Sequence, residues 1–118
     1  MRMWMVNPAL MCNKHLLGEH VECHMLAGHL KLKRRITNYI RLNLLEPTNL
    51  RERHDQLALE MKNRGFMHKS PLPEYDISYL PERHRIYKVN VEESVTELSR
   101  RCSNCRKRIN VSLIKQSK

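Results

Sequence analysis

The chain has 118 residues, enough for one domain with a modest core and too few for two independent ones. Hydrophobic residues make up 41% and charged residues 29%, a balance that excludes a disordered polar tail, and no apolar run approaches the ~20 residues that cross a bilayer. A formal charge of +10 and a pI near 9.9 point to a polyanionic partner: nucleic acid first, an acidic membrane surface second, or else a basic surface serving solubility alone.

The opening "MRMWMVNPALM" lacks the charged start, long apolar centre and small-residue cleavage site of a secretory signal, so the expected compartment is the cytoplasm. Four cysteines, Cys12, Cys23, Cys102 and Cys105, then read as reduced thiols or metal ligands more readily than as disulfides.

After a short N-terminal segment containing Trp4, residues 14–30 have helical periodicity, with Leu17, Val21 and Met25 on one stripe and Leu16, Cys23 and Ala27 beside it. Gly28 marks a frayed end or a close contact. "LKLKRRITNYIRLNLL" predicts a second helix preceded by a basic turn, with Ile36, Ile40 and Leu44 at four-residue spacing and Lys31, Lys33, Arg34, Arg35 and Arg41 supplying a basic side. Pro47 breaks the pattern. A third helix follows, with Thr48 as N-cap, Leu50, Leu57 and Met61 inside and Gly65 as the stop.

"SPLPEYDISYLPERH" reads as an ordered surface loop. A fourth helix begins near Asn90, which is spaced from Glu93 as a capping pair, with Val91, Val95 and Leu98 facing inward. The basic tail from about residue 100 to 118 is expected to fray. The predicted architecture is all-α, a single-domain bundle of about four helices with one long Pro- and Tyr-containing loop.

At about 100° per residue, His15, Glu19, Glu22 and His29 fall on one side of the first helix, away from the Leu17 stripe. Two carboxylates and two imidazoles on one face can be tuned apart for acid/base work, or they can be a solvated face with pairs such as His15/Glu19. His20 and His24 stand four apart, a separation that lets two imidazoles share one ion, but Glu22 is misplaced for the HExxH signature of a metalloprotease. "CSNC" supplies half a zinc site in Cys102 and Cys105, and Cys12, Cys23 or a histidine would have to complete it. A thiol nucleophile there has arginines beside it and no base.

Taken together, "MRMW", "KHLLGEHVECHMLAG" at 14–28 and "LRERHDQLALEMKNRGF" at 50–66 resemble the pyrimidine-dimer DNA glycosylases, the phage-type endonuclease V family. The positions that carry the likeness are Met1, Arg2, His15, Glu19, Glu22, Gly28 and Arg64-Gly65-Phe66. The resemblance implies a helical enzyme acting on damaged double-stranded DNA, as a monomer, that cleaves the glycosidic bond of a photodimer and nicks the strand at the abasic site. It implies that the α-amine of Met1 is the nucleophile, Glu22 the central carboxylate, and Arg2 and His15 supporting groups, with no cofactor required. An α-amine has a reference pKa of ~7.7–8.0 against ~10.4 for lysine, so far more of it is neutral near pH 7. Arg2 is too bulky for removal of the initiator methionine, so Met1 itself is expected to present that amine.

Two departures stand out. Val21 and Met25 occupy positions where phage enzymes carry arginines, and "RRCSNCRKRINVSLIKQSK" replaces their aromatic tail. Phosphate contacts are therefore expected from Lys31, Lys33, Arg34 and Arg35 and from Arg100, Arg101, Arg106, Lys107 and Arg108. Two alternatives stay open: a lyase for abasic sites or another lesion, and a non-catalytic DNA-binding protein with zinc on Cys102 and Cys105.

Overall fold

The computed structural model describes residues 1–68 and 70–116; Ser117 and Lys118, the end of the basic tail, lie outside the described residues. All regular structure among the described residues is helical, and none of these helices is long and apolar enough to cross a membrane.

Asn13–Lys31 forms the longest helix, α1, capped at its start by the Cys12 sulfur, which accepts the His15 backbone N–H at 3.5 Å. Leu16, Glu19, His20, Cys23, Leu26, Ala27 and Leu30 are buried, a set three or four apart that makes one face. The predicted stripe is therefore corrected: Val21 is 56% and Met25 49% exposed, and Leu17 is half-buried. Glu19 turns inward to Arg53 and His20 to the rings of His24, His54 and His68, while the apolar Val21 and Met25 rotate out. Gly28 is neither frayed nor crowded; it sits inside the helix, and a Cβ there would meet nothing within 4 Å.

The second helix is shorter than the spacing predicts. Only Thr37–Arg41 (α2) is helical, although Ile36 and Ile40 are buried as expected and Leu44 packs half-buried on the core. Lys33 (φ 55) and Asn43 (φ 62) adopt the left-handed conformation on either side of it, which ends a helix. A 3-10 turn at Pro47–Asn49 then leads into α3, Leu50–Asn63. Thr48 lies exposed inside that turn and does not cap α3. Gly65 ends α3 as predicted: at φ 85 it bonds back to the Lys62 carbonyl at 3.0 Å while Phe66 N–H reaches Met61 at 2.9 Å.

Leu50, Arg53, His54, Leu57 and Met61 of α3 face α1. Across that contact the Arg53 guanidinium grips both Glu19 oxygens, at 2.5 and 2.8 Å, with both side chains shut off from water. At the far end Arg64 donates to Glu60, Asn13 and the Pro8 carbonyl, clamping the end of α3 to the start of α1.

The loop over residues 70–81 is held by its apolar and aromatic residues: Leu72 and Leu80 are buried, and Tyr79 donates its hydroxyl to the Arg34 carbonyl at 2.6 Å. A single turn, α4 (Glu82–Arg85), precedes α5, Val91–Arg101, where the Asn90 side chain accepts the Glu93 N–H at 3.0 Å as the capping pair predicts. Ser94 and Leu98 are buried and Val95 packs on the core, while Val91 is exposed, contrary to its predicted place.

The tail does not fray through 116. Ser103–Gln116 forms α6, which buries Cys105 and Ile109 one turn apart and is held to the N-terminal segment by Cys12 N–H on Cys105 Sγ (3.2 Å) and Arg108 Nε on the Ala9 carbonyl (3.2 Å). The bundle thus rests on four long helices, α1, α3, α5 and α6. The chain's beginning is fixed as well, with Met3, Trp4 and Val6 buried and Met3 N–H on the Leu44 carbonyl at 2.7 Å.

Candidate active site

Because the buried N-terminal segment runs beside α1, Arg2, Trp4, His15, Gly18 and Glu22 come to line one groove of about 490 Å³, with Lys14 and Arg101 on its rim. Glu22 is half-buried, and burial is the main influence pushing its carboxyl above the usual value. The strongest influence the other way is the charge of the Met1 α-amine; Glu19 adds an upward push, and the backbone N–H and charge of Arg2 pull down. The first two residues, Met1 and Arg2, thus act electrostatically on Glu22, about twenty residues further along the chain. The Arg2 guanidinium lies 3.7 Å from the Trp4 ring centroid, a cation–π contact that holds it over the groove wall. Burial lowers the Arg2 pKa, with Arg101 adding to it.

Glu19 borders the same groove with its carboxylate held from behind, and His29 does not join this group. Glu19 is taken up by Arg53, and the His29 ring contacts the carbonyl of Met25 in its own helix at 3.2 Å. His15 reaches the groove, but its Nδ1 lies 3.2 Å from Cys12 Sγ and 3.7 Å from Cys105 Sγ. Burial, then Lys14, lowers its pKa.

That contact belongs to a tetrad. Cys12 and His15 from the start of α1 meet Cys102 and Cys105 from the α5–α6 junction, all four ligand atoms within 4.8 Å of one another and Cys12 Sγ 3.7 Å from Cys102 Sγ. Burial pushes the Cys105 thiol up to about 12. Cys102 is less buried; burial still raises it, but hydrogen bonds from Cys105, Cys12 and Asn104 outweigh that and leave it below the ordinary value. Cys23 stands apart in the core, its thiol pushed far up by burial.

A second tetrad lies on the inner side of α1. His20 and His24 converge with His54 of α3 and His68 just beyond Gly65, again within 4.8 Å. Burial, followed by the other three histidines, drives His20 down to about 4. The sequence signalled only the His20/His24 pair; His54 and His68 carry no local spacing that ties them to it. Trp4 was likewise legible only as part of the opening segment.

The basic candidates are all exposed. Arg100 and Arg101 both bond Glu97 at 2.5 Å, Arg106 donates to the Ser99 carbonyl at 3.3 Å, and Lys107 and Arg108 line hollows beside Ala9, Leu10 and Lys14. Lys31, Lys33, Arg34 and Arg35 lie at and beyond the other end of α1, about 14 Å or more along the helix from Glu22.

A family model described as pyrimidine dimer DNA glycosylase matches residues 1–74, which takes in the groove and the four histidines and stops short of Cys102 and Cys105. No curated protein and no solved structure matches the chain.

Proposed function

Because this chain belongs to the pyrimidine dimer DNA glycosylase family, we propose that it excises a cyclobutane pyrimidine dimer base through the α-amine of Met1 and then cleaves the strand as an abasic-site lyase. The observation that carries the reading is that Glu22 lines a groove with Arg2, Lys14 and Arg101 and feels the charge of the Met1 α-amine.

The neutral amine attacks C1′ of the damaged nucleotide, and the glycosidic C–N bond breaks with its electron pair leaving on the base. The sugar ring opens to an iminium. The cationic nitrogen acidifies a C2′ proton; its removal forms a C2′–C3′ double bond and expels the 3′ phosphate, and water then releases the amine. Glu22 stabilises positive charge on the sugar and carries protons between steps. Arg2, spread over Trp4, supports the groove, and the basic residues at both ends of α1 position the duplex through its phosphates. Extruding a nucleotide costs a few kcal/mol, least where stacking is already impaired.

Cys12, His15, Cys102 and Cys105 complete the half-site read from CSNC, and we assign them a structural zinc ion. Sulfurs on tetrahedral zinc stand about 3.8 Å apart, which the 3.7 Å between Cys12 and Cys102 matches. The ion would tie the basic tail into one domain with the groove. In this assignment His15 acts through its ring as a ligand and wall, not as an acid or base.

Borohydride trapping on untagged protein with an abasic duplex tests the nucleophile. A covalent adduct should form, map to Met1, and disappear when the N-terminus is acetylated. Full trapping after acetylation would transfer the role to a lysine. A second reading, a lyase without photodimer preference, is favoured by exposed Val21 and Met25 where the phage enzymes carry arginines; comparable incision of abasic and photodimer duplexes supports the first reading, and incision of the abasic duplex alone supports the second.

A further inference from the structure

We propose that His20, His24, His54 and His68 form a nitrogen-only binding site for one divalent transition-metal ion, zinc by its coordination number, that pins α1, α3 and the loop after α3 together. The site is independent of the glycosylase reading and shares no residue with the thiol tetrad.

His20 and His24 stand one turn apart on the buried side of α1, His54 projects from the facing helix, and His68 follows the turn at Gly65. The His54 Nε2 lies 3.2 Å from the Nε2 of His24 and 3.2 Å from that of His68. The His20 ring centroid is 4.9, 4.9 and 4.7 Å from those of His24, His54 and His68. Nitrogens bound to a tetrahedral zinc at about 2.0–2.1 Å stand about 3.3 Å from one another, which the two 3.2 Å contacts at His54 match, and all four ligand atoms lie within 4.8 Å of one another.

Protons alone do not satisfy this arrangement. The His54 Nδ1 is 3.0 Å from the Asp55 carboxylate, a contact that calls for N–H at Nδ1 and leaves a bare lone pair at Nε2. One in-plane lone pair then faces two neighbouring nitrogens. The His20 Nε2 is buried with no hydrogen-bond partner among the described residues, an orphaned polar atom whose lost hydration no protein group offsets. A central cation takes one lone pair from each ring and resolves both problems. The Asp55 contact is also what metal-bound histidines use to fix the ring and its tautomer.

Imidazole donors suit zinc, copper and nickel, and four of them fill a tetrahedral shell. With no position left for substrate, the ion holds structure. It fixes the inner side of the helix whose other side carries Glu22.

The test uses untagged full-length protein stripped of metal and titrated with Zn²⁺, with bound metal measured per chain and the ligand shell read by X-ray absorption. Wild type should take two equivalents with an averaged shell of five nitrogens to three sulfurs. The double substitution C102S/C105S should keep one equivalent with a shell free of sulfur, and H24Q/H68Q should keep one that is sulfur-rich. Wild type binding one sulfur-rich equivalent only, or H24Q/H68Q binding as much as wild type, overturns the proposal. The wild-type shell decides the matter even where a variant fails to fold. A single nitrogen-only equivalent in wild type would sink the thiol staple and leave the histidine site standing.

Discussion

Glu19 and Glu22 stand one turn apart on α1, and their surroundings give them opposite work. Glu19 is fully buried and bound at both oxygens by Arg53, so its charge joins two helices. Glu22 is half-buried and held above its ordinary pKa chiefly by burial, with the charge of the Met1 α-amine pulling the other way. Glu22→Gln should therefore leave duplex binding and the melting temperature close to wild type while incision at a photodimer falls by at least ~100-fold, the scale of a positioned acid/base group. Glu19→Gln should instead cost about 3–5 kcal/mol of stability by stranding a buried guanidinium. Binding lost together with incision in Glu22→Gln would make that residue structural. The spacing of the sequence could not divide the two carboxylates, because the partner that takes Glu19 comes 34 residues later on another helix. The family resemblance singled out Glu22 as the central carboxylate; both carboxylates border the groove, and Arg53 occupies that of Glu19.

Three helices end in the same way, with a left-handed residue and a pair of hydrogen bonds back into the last turn: Arg34 to His29 and Lys33 to Leu30, Leu44 to Tyr39 and Asn43 to Ile40, Phe66 to Met61 and Gly65 to Lys62. Only the last was legible, because only there does glycine mark the turn. Lysine and asparagine at the other two concealed the break, and the spacing of Ile36, Ile40 and Leu44 suggested a helix longer than α2. The face of α1 was hidden for a related reason: its buried side holds Glu19 and His20, while Val21 and Met25 face water. Among the described residues of α6 only Cys105 and Ile109 are buried, too few to show a period among basic residues. Opposite substitutions at the two ends of one turn test this account of α1. Gly28→Ala adds a methyl that meets nothing within 4 Å and should stabilise the protein by about 0.5–1 kcal/mol, since glycine is a poor helix former. Lys33→Gly relieves a left-handed side chain at φ 55 and should gain up to about 1 kcal/mol. Urea melts read both, and a loss of stability in either would contradict the backbone geometry that predicts it.

The molecule measures 46 × 31 × 22 Å, and its formal charge of +10 is carried in part by two basic sets toward opposite ends of α1. One set, Lys107 and Arg108 with Lys14, lies near the mouth of the Glu22 groove; the other, Lys31 to Arg35, lies about 14 Å or more along the helix. From Lys14 to Lys31 the helix rises about 26 Å, about seven or eight base-pair steps of a duplex at 3.4 Å per step, so one segment of DNA can meet both sets. Each phosphate neutralised releases counterions, so the logarithm of affinity should fall with the logarithm of salt by about 0.9 per contact. Replacing Lys107 and Arg108 with alanine should then flatten the slope by about 1.8, and replacing Arg34 and Arg35 should flatten it by a similar amount, the two effects adding in the fourfold variant. The Arg108 bond to the Ala9 carbonyl makes circular dichroism a necessary companion measurement for the first pair. Neither pair reads bases, so matched and photodimer duplexes should weaken alike. A slope unchanged in one pair removes that set from the interface and confines the duplex to the other end of α1, where the distance from Glu22 then decides which nucleotide can enter the groove.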